Sequence, residues 1–274
     1  MKLDPCRVWA AVLILLATSL PLLAQDDALE GKFVRQLPVS GAARVEIETG
    51  AGNIIVRAGA GNEIRITGAI HVRPQRFDSD AEAQYVVRKL EAEPPIARKG
   101  RRIRIGHLPS RELRENVTLH YELVVPAETD LRTETGLGDQ TIVGLRRRVR
   151  VESGAGNILI ASVTGDVRVR TGLGNVEVRG LRGIVHARTG AGNIRAEGQP
   201  SGDWRLDTSV GDVSVHLLSE IPFELHARSG FGGIETRHRL VALRSAGEGE
   251  LHGRVGGGGV KLELETRLGN IRVE

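Results

Sequence analysis

Apolar and polar positions alternate through the middle of the chain. Val167, Val169, Thr171 and Leu173 are separated by Arg168, Arg170 and Gly172; Val185, Ala187, Thr189 and Ala191 repeat the order around His186, Arg188 and Gly190. Alternation at period two puts one set of side chains inside and the other in water. Each such run ends in Thr/Ser-Gly-x-Gly-Asn-Ile/Val, starting at Thr49, Ser153, Thr171 and Thr189, with looser copies at Thr135, Thr208, Ser229 and Thr266. From Thr135 to Thr208 the copies are 18, 18, 18 and 19 residues apart. A fixed short period means one structural unit stacked on itself. Frequent glycine and β-branched residues exclude helix from these repeats.

One period, Asn157 to Gly174, reads as two short strands and two turns, with Thr164-Gly165-Asp166 as the second turn signal. The predicted fold class is all-β, a β-solenoid (parallel β-helix-like) with two-strand coils of about 18 residues. Equivalent residues should then stand in columns: Val167 over Val185 and Trp204, Val169 over Ala187 and Leu206. Thr135, Ser153, Thr171, Thr189 and Thr208 form a hydroxyl column, expected to hydrogen-bond along its own length. Leu137, Ala155, Leu173, Ala191 and Val210 alternate large and small, as interlocking neighbours in a dense interior would. The motif glycines supply positive φ at a tight corner. The Asn or Asp after them (Asp139, Asn157, Asn175, Asn193, Asp212, Asn270) is suited to bond the backbone of the adjacent coil. With ~4.8 Å between coils, about eight coils make a rod of roughly 40 Å.

The chain divides into a leader at 1–24, coils with an inserted helix at 25–126, and regular repeats at 127–274 continuous with them. The helix is expected near 79–92: Ser79-Asp80-Ala81-Glu82 forms a capping box and Pro94-Pro95 ends it. It should pack on or cap the stack, because an open end offers unpaired strand edges. In the leader, Lys2 and Arg7 precede an almost purely apolar stretch from Val8 to Ala24, which reads as a secretory signal peptide. The one cysteine, Cys6, lies inside it, so the mature chain is expected to hold no disulfide, zinc-thiolate site or cysteine nucleophile. The protein is therefore expected to be exported: periplasmic, on the cell surface or secreted.

The strand ending Val124-Val125-Pro126, the repeated Thr-Gly-x-Gly-Asn/Asp-Ile corners and the final Gly256-Gly257-Gly258-Gly259-Val260 … Thr266-Arg267-Leu268-Gly269-Asn270-Ile271 carry a resemblance. From Phe33 to Glu274 the chain resembles the bacterial β-solenoid adhesin domains, domains of unknown function related to the head-domain adhesins. That resemblance implies an envelope or surface protein. It brings no catalytic residues.

Charge and composition add exclusions. Lys and Arg number 38 against 34 Asp and Glu, and both signs alternate along the strands, which suits solubility rather than nucleic acid. At 3% aromatic residues the chain offers few stacking platforms for bases. Gly-x-Gly-Asn is not a dinucleotide loop, because a strand follows and the motif repeats throughout. Nor does it make a calcium β-roll, since most corners carry a lone Asn where a hard cation needs several carboxylates. The eight histidines show no metal-binding spacing, and no Gly-x-Ser-x-Gly elbow is present. No metal and no cofactor is expected, and no Asp or Glu stands apart from the repeat as an active site would.

The remaining candidate is a face. If Val167 and Val169 point in, the outward positions of one sheet collect Arg150, Arg168, Arg170, His186, Arg188, Arg205 and Arg228, broken by Glu152 and Asp207. The other sheet, with Glu177, Arg179, Arg195 and Glu197, is balanced. A basic ladder suits an acidic glycan or an envelope lipid headgroup. The expected function is a non-enzymatic envelope scaffold or adhesin-like binding module; the alternative is a carbohydrate-active solenoid enzyme acting on an acidic polysaccharide.

Overall fold

The computed structural model describes residues 28–244 and 249–274. The leader at 1–24 lies outside the described residues. The protein is all-β, and among the described residues 21 strands join in one hydrogen-bonded system. Each repeat lays one strand on a first face, turns at the Gly-x-Gly-Asn corner, and lays a second strand on a second face. On the first face Asp130–Leu137, Val149–Ala155 and Thr164–Leu173 pair in parallel, and the ladder continues through 182–191 and 203–210. On the second face Gln140–Val143, Ile158–Ala161, 176–179, 194–198 and Val213–Leu217 do the same.

The register is the one the repeat implies. Val167 pairs with Val185 and that with Trp204; Val169 pairs with Ala187 and that with Leu206. All six are buried, while Arg168 and Arg170 are exposed. Trp204 stays dry because its indole N–H donates to the Gly183 carbonyl at 3.0 Å. The second turn is built with positive φ at Ser162 (54°) and Gly165 (138°), and the following strand begins at Thr164.

At the Gly-x-Gly-Asn corner the second glycine is required sterically. Gly174 has φ 133°, and a Cβ there would sit 2.1 Å from the Gly156 carbonyl oxygen. The next residue forms a ladder of side-chain acceptors. Asn157 Oδ1 accepts from the Asn175 N–H (3.0 Å), Asn175 Oδ1 from the Asn193 N–H (2.8 Å), and Asn193 Oδ1 from the Asp212 N–H (2.8 Å).

Two expectations about the corner are corrected. The hydroxyl column does not bond along its own length: Thr189 Oγ1 donates to the Gly174 carbonyl (3.0 Å) and Thr208 Oγ1 to the Gly192 carbonyl (2.9 Å), each a backbone group of the neighbouring coil. The Leu137, Ala155, Leu173, Ala191, Val210 column is not interior either; Leu137 and Leu173 are 61% and 60% exposed. The threonine hydroxyls and the carbonyls they bond fill the inside of the corner, so the chain has already turned when it reaches this position.

At both ends, spatial order departs from chain order. The coil formed by 44–59 lies between 130–143 and a coil made of Arg102–Ile105 and Val117–Pro126. The last coil, 260–273, lies between 203–217 and 223–236. Each terminal repeat is thus tucked one rung inward. Antiparallel strands close both ends: Glu63–Val72 and Leu29–Pro38 beyond Val117–Pro126, and Glu250–Val255 with Val241–Arg244 beyond Phe223–Phe231.

A helix spans Asp80–Ala92, capped by Ser79, whose Oγ accepts from the Glu82 N–H at 3.2 Å. Its Val87 and Leu90 are buried, and Glu91 accepts from the Lys32 N–H at 2.9 Å, so it packs on the outermost strand, Leu29–Pro38. A second helix, Arg111–Asn116, replaces the glycine corner of the end coil. Sequence patterning missed it, because its six residues hold one apolar side chain, Leu113.

Candidate functional site

The outward positions of the first face form two columns. The first runs Glu46, Arg132, Arg150, Arg168, His186, Arg205, Glu263, His226. The second runs Glu48, Glu134, Glu152, Arg170, Arg188, Asp207, Glu265, Arg228 in the same rungs. These side chains point outward for the reason Val167 and Val169 point in: the pleat sends neighbours to opposite sides.

Six of the seven predicted residues lie on contiguous rungs: Arg150, Arg168, Arg170, His186, Arg188 and Arg205. Arg228 does not join them, because the tucked last coil places Glu263 and Glu265 between it and Arg205 and Asp207. One basic residue was missed. Arg132 pairs directly with Arg150, so five consecutive rungs of the first column are Arg132, Arg150, Arg168, His186 and Arg205. The signal was present: Arg132 lies three residues before Thr135, as Arg150 does before Ser153.

Carboxylates close both ends of this stripe. Glu46 is bridged to Arg102 (2.7 Å) and Arg104 (3.4 Å). Glu263 takes Lys261 and Arg205 (3.3 Å); its carboxyl is held below the usual range, first by the Lys261 hydrogen bond. Within the stripe, Arg132 reaches Glu134 at 3.4 Å, and Arg188, in the second column, reaches Asp207 at 3.3 Å. Among the described residues Arg168 and Arg170 have no carboxylate partner and are exposed. Their guanidinium groups keep all their donors available for an anion.

Histidine pairs sit at the ends instead. His120 and His71 meet edge to face at 5.1 Å, and His226 and His252 at 4.6 Å. Burial lowers the pKa of His120, and the neighbouring His71 lowers it further. Burial does the same at His226, reinforced by Lys261 and His252. His120 also starts the corner ladder: its Nδ1 accepts from the Asn53 N–H at 3.1 Å, so that nitrogen is unprotonated. Among the described residues no group of three or more His, Cys, Asp or Glu side chains gathers where it could hold a metal ion. No helix among them is long and apolar enough to cross a membrane.

No protein-family model matches the chain, and no curated protein sequence matches it. Solved structures that the chain resembles distantly include a "putative adhesin" from Bacteroides fragilis, 14% identical with a TM-score of 0.45, over 89% of this chain and 97% of that one. A "putative cell adhesion protein" from Clostridium sporogenes is 11% identical with a TM-score of 0.38, over 89% and 99%. A "putative lipid binding protein" from Parabacteroides distasonis is 10% identical with a TM-score of 0.36, over 89% and 97%. These scores describe distant likeness and carry no assignment of ligand or activity.

Proposed function

We propose that this chain is an exported, non-enzymatic β-solenoid of the bacterial envelope that binds a polyanion along the first face, an acidic glycan before a lipid headgroup. The observation that carries this reading is the stripe Arg132, Arg150, Arg168, His186, Arg205 on five consecutive rungs. Rungs ~4.8 Å apart give it a length of roughly 19 Å. A polymer carrying repeated carboxylates or sulfates meets several such groups at once, and each further contact is intramolecular. Arg168, without a carboxylate partner among the described residues, is its central rung, where a bound anion displaces no intramolecular ion pair.

The test is equilibrium binding of the purified protein to a panel of acidic and neutral polysaccharides and to vesicles with and without anionic lipid, with product release followed in parallel. Saturable binding to an acidic glycan, weakening as ionic strength rises from about 0.05 to about 0.5 M, is the expected result. Binding only to anionic vesicles moves the ligand to a headgroup. Turnover of the polymer favours the carbohydrate-active enzyme instead.

A further inference from the structure

The exposed column at the corner has a pattern of its own. In spatial order it reads Ala51, Leu137, Ala155, Leu173, Ala191, Val210, Leu268, Phe231, each paired in register with the next. Leu137 and Leu173 are 61% and 60% exposed, Val210 48%, Leu268 45% and Phe231 75%. Glycines flank each of the first five, so these side chains stand out as a ridge above bare backbone. A continuous apolar strip of this kind on a protein surface marks a contact site. Alternation alone would place this column in the interior, and a polyanion lying along the first column does not contact it.

We infer that the ridge is a self-association surface, joining two copies of this chain antiparallel about a two-fold axis between the Ala155 and Leu173 rungs. Two independent properties of the ridge select that register. The first is size. The axis sets Leu173 against Ala155 of the second copy, Leu137 against Ala191 and Val210 against Ala51. Within these six rungs, spanning about 24 Å, every large side chain meets a small one, and Leu268 and Phe231 lie beyond the seam. The second is charge. An axis perpendicular to both stacks keeps the two first faces on the same side, so their second columns line the seam together. Glu134 and Glu152 of one copy then meet Arg188 and Arg170 of the other, and the reverse pairs repeat across the axis. One like-charge pair, Glu48 with Asp207, remains at each margin.

Neighbouring registers fail. Moving the axis one rung, to between Leu173 and Ala191, sets Arg170 against Arg188, Glu152 against Asp207 and Glu134 against Glu265. Centring it on a rung, at Ala155, sets Leu137 against Leu173. A closed two-fold contact demands self-complementarity of this kind, residue i meeting j and j meeting i. The Asn column beside the ridge adds no like-charge pair, since Asp139 would face Asn193 and Asp212 would face Asn53. The strip is smaller than the ~800 Å² per partner of a standard interface, so association should be weak and concentration-dependent. The first-column arginines stay outside the seam, so this contact and polyanion binding are separable.

Sedimentation velocity on the purified chain from about 5 to about 500 µM brackets an interface of this size. A reversible monomer–dimer equilibrium is expected. Leu173→Asp should abolish it with unchanged melting, because Leu173 is exposed. Arg170→Glu/Arg188→Glu and Glu134→Arg/Glu152→Arg should each be monomeric, and an equimolar mixture should restore a one-to-one dimer. Monomers at every concentration, a dimer indifferent to Leu173→Asp, or paired variants that fail to complement would each overturn the inference. So would a ridge that instead carries the monomer onto neutral lipid vesicles.

Discussion

The middle of the stack and its two ends are built from the same repeat but held together differently. Between 130 and 217 neighbours in the chain are neighbours in space, and the corner ladder links residues 18 or 19 apart. At the ends the same ladder joins Asn53 to Asp139 across 86 residues and Asp212 to Asn270 across 58. A local link closes a short loop, whereas a distant one orders a long segment first. The middle should therefore be the cooperative, persistent part. The ends should open first, and they also carry the histidine pairs.

The largest effect should come from charge placed inside the middle. Val169→Asp puts an unpaired carboxylate into the Val151, Val169, Ala187, Leu206 column and should cost about 4 kcal/mol or more, unfolding several coils. The same change in the tucked coil, Leu264→Asp, should abolish hydrogen-exchange protection across 223–274 while 130–198 stays protected. Equal loss of protection throughout in both variants would mean the stack is one cooperative unit.

Acid should act next, and at the ends. The folded-state pKa values of His120 and His226 lie below that of a free histidine, so the unfolded chain binds protons more readily. Their contribution is therefore intact above the unfolded value of about 6.5 and is lost as pH falls through that value towards the lower folded ones. At His120 protonation also removes the acceptor for the Asn53 N–H. Exchange measured from about pH 7.5 to about pH 5 should show the ends loosening before 149–191, and His120→Ala should flatten the response at 44–59.

A smaller loss is expected from one rung of the ladder. Asn175→Ala leaves the Asn193 N–H without its acceptor and should cost about 1 kcal/mol in chemical denaturation. A metal-dependent change in melting at that corner would contradict its purely structural role.

Much of the middle was legible because two signals agreed: alternation named the inward residues and the period named their columns. Val167, Val185 and Trp204 fall where both place them. The helix was legible through its cap at Ser79. Period two misled at Leu137 and Leu173, because alternation predicts facing only while a strand stays extended, and these residues follow the glycine that begins the turn. Coil order at the ends was hidden for another reason. Repeats specify which positions stack, but every coil offers the same column, so nothing local tells 260–273 to enter beside 203–217. That also misplaced Arg228 relative to the stripe, whereas Arg132 lay in plain view, one period before Arg150.

The smallest structural effect is paired with the decisive functional one. Reversing Arg150, Arg168 and Arg205 to Glu changes only outward side chains of the first column. Titration of this triple variant against an acidic polysaccharide that binds the parent, beside its melting curve, tests the polyanion-binding stripe most directly. Melting close to the parent's, with binding lost at low and moderate ionic strength, is the result predicted. Binding as tight as the parent's, from a variant that melts normally, would show that these arginines are only a solvated surface.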